Sequence, residues 1–266
     1  MNYNSFRGSV GLKFVAMDSI YFYIFAISFI ATLVRSTFGF GESLVAVPLF
    51  ILFIPLNVAV PLSVLISIVV ALVDVIQDHS QIHFSSAKWL ILFALLGIPI
   101  GVFILMYGND FWVKIGLGVL IILYSLYALL GKEKVHLVSD SKGWLFACGL
   151  LSGVLGGAYG VNGPPLVVYG NMRQWNARHF RATLQAYFLP ASFVGAIAYY
   201  FQDLFTMVVL EYFLVSLPAV FPAIFLGRYL NHTLKDAAFF RFVYWGLIVI
   251  GTFLIWNSIY GKSIHS

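Results

Sequence analysis

Apolar residues run through this sequence in long blocks separated by short polar stretches. The blocks cover residues 19–37, 57–77, 87–107, 111–130, 143–160, 182–201, 207–227 and 239–258. Each is close to the roughly 20 residues that a helix needs to cross the hydrocarbon core of a bilayer, so the pattern predicts about eight transmembrane helices. Two further apolar pieces, 44–54 after FGFGES and 165–170 after YGVNGP, are too short to span and follow residues that break helices. They predict half-helices or re-entrant segments.

Composition fixes the surroundings of these helices. Of the 266 residues 61% are hydrophobic and only 9% charged, with 26 phenylalanines, a set that cannot be arranged as a water-soluble surface. The expected molecule is an all-α, multi-pass protein of a cell (inner or plasma) membrane. No stretch is polar enough to form a separate soluble domain. The chain divides into an N-terminal segment (1–18), a first membrane repeat (19–130), a connecting loop (131–142), a second repeat (143–260) and a tail (261–266). Arg7 and Lys13 ahead of an apolar run resemble a signal peptide superficially, but the run is long and no small-residue cleavage pattern closes it. The formal net charge of +5 is spread among loops that flank the membrane, which argues against nucleic acid as a partner. Cys148 lies alone in an apolar run and reads as a packing residue.

The two irregular stretches match in position. A shift of 121 residues carries Gly39 onto Gly160, Phe38 onto Tyr159, Ser43 onto Pro164 and Gly101 onto Pro222, so the chain reads as two tandem repeats, each of four spans and one half-helix. Four crossings per half would give both halves one orientation; a half-helix that completes a crossing would invert them. Broken backbone in a bilayer leaves peptide groups that lipid cannot satisfy, so it survives only inside protein or beside a polar cavity. A pair of breaks therefore marks a cavity. Glycines supply the unusual backbone, and Gly163-Pro164-Pro165 would start a half-helix whose N–H groups face the break, a setting that attracts anions. Close helix packing is the competing reading for GLLSGVLGG (149–157), because small residues spaced four apart are common packing surfaces.

GLLSGVLGGAYGVNGPPLVVY followed by RATLQAYF resembles the second-repeat signature of the TauE/SafE sulfite-exporter family of membrane transporters, and STFGFGESLVAVPLF resembles the family's first glycine-rich motif running into V-P-x-L. The resemblance covers nearly the whole chain. It implies a secondary transporter, not an enzyme, moving a small sulfur-containing anion such as sulfite or a sulfonate, or an organic acid of similar size. One departure stands out: the family's run of consecutive glycines is replaced by Gly39, Phe40, Gly41 and Glu42.

Charges inside the apolar blocks point to the same place. A charged side chain in mid-span costs about 2.5–3.5 kcal/mol on insertion scales, so such residues have partners or line a pathway. Arg35 and Glu42 flank the first break. A mutual ion pair that neutralises both is one reading. In the other, Arg35 is the counter-charge for substrate and Glu42 a protonatable group that couples protons to transport, pulled towards its neutral form by desolvation and towards its ionised form by the arginine. After the second break Arg173, Arg178 and Arg181 form a basic doorway; Arg181, nearest the membrane, is the expected substrate contact, with Thr183 beside it, and Arg173 and Arg178 read as headgroup-facing. Gly39, Gly41 and Gly163 would shape the site. Tyr159 and Asn162 would either donate to the same anion or cap the broken backbone. Asp74, near Gln77 and Asp78, is expected at the membrane interface.

Other chemistry is weakly represented. His79 and His83 have the spacing of a helical metal pair, but no third ligand accompanies them, and no metal or cofactor is expected. The sequence has no nucleophile elbow, P-loop or HExxH pattern, and Arg35 with Glu42 does not make a catalytic set, which leaves an intramembrane enzyme without support. A passive anion channel on the same basic cavity would conduct without needing Glu42. The implied partners are a small anion, membrane lipid and protons as coupling ion. With eight crossings the lysines and arginines outside the spans divide seven against seven, so the positive-inside rule is silent; cytoplasmic termini are expected, on the premise that the basic doorway faces the substrate path.

Overall fold

The computed structural model describes residues 3–78, 84–130, 137, 141–175, 177–233 and 237–260, with backbone alone at 3–18, 77–78, 84–87, 177–179, 181–182, 232–233 and 237–242. The described residues form ten α-helices and no strand. The first half holds α1 (Tyr3–Phe38), α2 (Glu42–Phe50), α3 (Leu56–Asp78), α4 (Phe84–Tyr107) and α5 (Asp110–Leu130); the second holds α6 (Lys142–Tyr159), α7 (Gly163–Met172), α8 (Ala177–Phe201), α9 (Met207–Thr233) and α10 (Ala237–Tyr260).

Every apolar block of the sequence is a helix, and the two short pieces are the short helices α2 and α7. Six helices carry stretches long and apolar enough to cross a membrane: α1, α3, α4, α5, α9 and α10. The chain is thus a multi-pass membrane protein. The predicted spans in α6 and α8 are helical but not among these six. Residues 3–18, expected as a separate segment, continue α1 without interruption. Large apolar side chains such as Ile76, Phe103, Trp112, Leu214 and Phe253 lie exposed on the helix surfaces, as lipid-facing residues do.

Contacts between side chains fix the direction of each helix. In the first half Arg35 meets Glu42 while Tyr23 stacks on Phe53, so α2 folds back along α1 as the second arm of a hairpin. In the second half Asn162 lies over Gly156 and the Met172 carbonyl accepts from the Leu137 N–H, so α7 folds back along α6 in the same way. Tyr21 with Glu211, Ser28 with Ser216 and Thr37 with Asn231 make α1 and α9 parallel neighbours. Gly149 against Leu90, Gly153 against Ala94 and Gly157 against Ile98 do the same for α6 and α4. Two antiparallel pairs complete the set: α3 with α8 through Asp74 and Gln185, and α5 with α10 through Gly118 with Gly251 and Tyr124 with Tyr244.

Small residues permit these approaches. A Cβ on Gly97, Gly101, Gly153 or Gly157 would overlap backbone atoms of the facing helix, which is why GLLSGVLGG is a packing surface along α6. The expected packing reading of that stretch therefore holds, and the glycines specific to the break lie beyond it.

Candidate functional site

Both hairpins turn on left-handed glycines. α1 stops where Gly39 and Gly41 take φ of 85° and 97°, and α6 stops where Gly160 takes φ of 68°. A residue with a Cβ is strained in that region, whereas glycine enters it freely. The freed backbone is satisfied locally: the Gly39 N–H donates to the Arg35 carbonyl, the Gly160 N–H to Gly156, the Val161 N–H to Leu155, and the Ser152 hydroxyl donates to the Asn162 carbonyl.

The two tips meet. A Cβ on Gly160 would lie 3.7 Å from the Ser43 hydroxyl, and one on Gly163 would lie 3.5 Å from the Phe40 ring. Between the tips is a small pocket walled by Arg35, Phe40 to Leu44, Ser67, Gly160 to Gly163, Phe188 and Ser192. Ser67 belongs to the middle of α3, and Phe188 and Ser192 to the middle of α8, so the crossed pair α3 and α8 forms the back wall.

Arg35 and Glu42 are buried, at 3% and 2% exposure, and they pair: Arg35 Nη1 donates to Glu42 Oε2 at 2.9 Å. Ser67 closes a triangle, its hydroxyl donating to the same Glu42 oxygen at 2.9 Å and accepting from Arg35 Nη1 at 3.1 Å. The guanidinium rests on the Phe188 ring, 5.1 Å from its centroid. The other edge of the guanidinium has no hydrogen-bond partner in the protein. Arg35 Nε and Nη2, like Glu42 Oε1, are buried and make no hydrogen bond within the protein. Nε–H and one Nη2–H project in parallel, the fork that fits two oxygens of a carboxylate or sulfur oxyanion.

Helix ends add to this field unequally. α2 begins at Glu42, and the N–H groups of its first turn, at Glu42, Ser43 and Leu44, have no acceptor earlier in the helix. α7 begins at Gly163 followed by two prolines, which carry no N–H, so its first turn offers only the Gly163 N–H. The expectation that Gly163-Pro164-Pro165 aims several free N–H groups at the break is corrected accordingly: the prolines start the helix but strip its N-terminus of donors.

Of the residues singled out in the sequence, Arg35, Gly41, Glu42, Asn162 and Gly163 wall the cavity, and Gly39 shapes the tip behind them. Tyr159 does not; its hydroxyl lies 2.7 Å from where a Cβ on Gly116 of α5 would be. Thr183 is buried on α8 away from the cavity wall, its hydroxyl without a hydrogen-bond partner. The Arg181 backbone belongs to α8 but its side chain, with that of Arg178, is outside the described residues. Arg173 donates to the Leu137 carbonyl at 2.7 Å, tying the end of α7 to the approach of α6. Asp74 is buried and accepts from Gln185 Nε2 at 2.8 Å. Sequence reasoning missed Ser43, Ser67, Phe188 and Ser192. Among the described residues no three acidic, histidine or cysteine side chains gather as a metal site would require; His79 and His83 lie outside them.

The chain matches the family description "Sulfite exporter TauE/SafE" over residues 24–254, which takes in both hairpins and all but the ends of the helical assembly. It belongs to that family. No curated protein and no solved structure matches it closely enough to add a further comparison.

Proposed function

We propose that this TauE/SafE family member is a proton-coupled secondary transporter of a small sulfur-containing anion, such as sulfite or a sulfonate, and that the anion binds in the cavity between the two hairpin tips. Membership of a transporter family means transport of sulfur anions across a membrane, without enzymatic chemistry. The observation that carries the finer reading is the buried Arg35 guanidinium, paired on one edge and without a hydrogen-bond partner on the other, in the wall of a pocket lined by both breaks. A buried charge costs too much to leave half-satisfied unless something else completes it.

The hairpins support a transport architecture. Each would enter the membrane, turn at its glycines and return to the same face, leaving α3, α4, α5 and α8, α9, α10 to cross. The antiparallel pairing of α3 with α8 and of α5 with α10 supports an inverted arrangement of the halves, in which broken helices would meet at a central site. Arg35, Gly41, Glu42, Asn162 and Gly163 would contact substrate or its hydration; Arg181 and Thr183 would serve the approach along α8.

Purified protein in proteoliposomes, offered sulfite, thiosulfate, short sulfonates and short carboxylates, tests the reading. Flux of a sulfur oxyanion that responds to a proton gradient and is lost in Arg35→Gln is expected. Flux indifferent to the proton gradient would identify a channel, and flux unaffected by Arg35→Gln would remove the cavity from the path.

A further inference from the structure

Charge counting at the cavity sets how protons and substrate are coupled. The pair of Arg35 and Glu42 is neutral as it stands, and both members are buried. An anion taken onto the unpartnered Nε and Nη2 edge leaves Arg35 flanked by two negative groups, one net charge in a buried space. The charged groups acting on Glu42 are Arg35 from α1 and, more weakly, Asp74 on α3, seven residues or about 10 Å along the helix from Ser67. Among the described residues, the other polar or aromatic groups that α2, α7 and α8 present to the cavity are Ser43, Asn162, Phe188 and Ser192, none of which carries charge. Glu42 is the acidic side chain that lines the pocket among the described residues, so a proton taken up there restores neutrality beside the anion.

We propose that Glu42 takes up one proton for each singly charged anion bound at Arg35, so that the two travel together as an electroneutral symport. This rests on the anion site proposed above. In the step, a proton from solvent forms an O–H bond at Glu42 Oε1, the oxygen without a partner in the protein, while Oε2 keeps its contacts with Arg35 Nη1 and Ser67. The neutral carboxyl then donates to the bound anion from the cavity side. On release the anion leaves, the O–H bond breaks to give the proton back to water, and the ion pair is restored. Proton and anion occupy the site together instead of competing for it, which makes symport, not antiport, the consequence of the geometry.

The test is proton uptake on binding. Detergent-solubilised protein in weakly buffered solution, with a pH-indicator dye, is mixed with methanesulfonate, isethionate or acetate, each of which keeps one negative charge between pH 6 and 8. The wild type is expected to take up one proton per anion bound, and Glu42→Gln to bind with no uptake and no pH dependence. In proteoliposomes wild-type flux should follow the pH gradient and ignore an imposed membrane potential, whereas flux through Glu42→Gln should follow the potential. Anion binding by the wild type without proton uptake overturns the symport while leaving the anion site intact. Binding of none of the three overturns the anion site and the symport with it. The wild-type measurement decides the matter even if the variant does not fold.

Discussion

Arg35 is held on one edge and without a hydrogen-bond partner in the protein on the other, and this asymmetry makes its two partners unequal. Removing Glu42's charge leaves a guanidinium that cannot lose its proton, whereas removing Arg35 leaves a carboxylate that can neutralise itself by taking one. Glu42→Gln should therefore destabilise the protein by about 3 kcal/mol and Arg35→Gln by distinctly less, as breaking one side of a buried pair does when the survivor stays charged. Thermal unfolding in detergent checks the order, and equal losses would mean that the pair is not the source. Methanesulfonate should recover part of the Glu42→Gln loss by supplying the missing negative charge, and the double variant should recover abundance but not transport. Ser67→Ala removes one hydroxyl from the triangle and should cost about 1 kcal/mol while loosening Glu42. Both charges were legible in the sequence because a charge in an apolar block has few innocent explanations. Ser67, Ser192 and Phe188 were not, since serine and phenylalanine are ordinary helix-packing residues and only the rotation of α3 and α8 turns these three inward.

At the scale of the helix, two kinds of glycine need to be kept apart. Gly41 and Gly160 turn the hairpins at positive φ, whereas Gly101 and Gly157 let α4 and α6 touch backbone to backbone. Gly41→Ala strains a left-handed residue by about 1–2 kcal/mol and displaces the first turn of α2, so transport should fall further than abundance. Gly157→Ala meets the backbone of α4 with no flexible atom to yield; a loss of about 1–3 kcal/mol is expected, with abundance and transport falling together. Gly246→Ala has open space around its Cβ and should be neutral or slightly stabilising. Flux divided by membrane abundance separates these outcomes, and a Gly41→Ala protein that transports normally per molecule would detach the hairpin tip from the mechanism. Helix positions and both breaks were readable from apolar periodicity and from the Gly and Pro clusters. What could not be read was that each short helix folds back on its predecessor, because a nine-residue apolar piece can continue a crossing or reverse it, and the choice lies in contacts such as Tyr23 with Phe53.

Taken as a whole, the helix directions change the membrane ledger that the sequence left balanced. The even division of basic residues assumed that α1 and α6 cross completely. If each hairpin returns to the face it entered, three crossings separate the start of one half from the start of the next. The beginnings of α4, α6, α8 and α10 then share one end of the molecule with the ends of α5, α7 and α9. Lys88, Lys132, Lys134 and Lys142 thereby join Arg173, Arg178, Arg181, Arg228, Lys235 and Arg241, leaving Arg7, Lys13, Lys114 and Lys262 at the end that holds both termini. Short basic loops stay in the cytoplasm. The more basic end should accordingly be cytoplasmic and both termini should lie across the membrane from it, the reverse of what eight full crossings led one to expect. A fusion after Ser266 checks this in a bacterial host: alkaline phosphatase placed there should be active and green fluorescent protein dark, while the same reporters inserted between α5 and α6 should give the opposite pattern. Fluorescence at Ser266 with an active phosphatase between α5 and α6 would keep the hairpins but invert the molecule. Reporters giving the same result at both positions would mean that the halves are joined by an even number of crossings, which would end the inverted arrangement and with it the meeting of two opposed half-helices at Arg35.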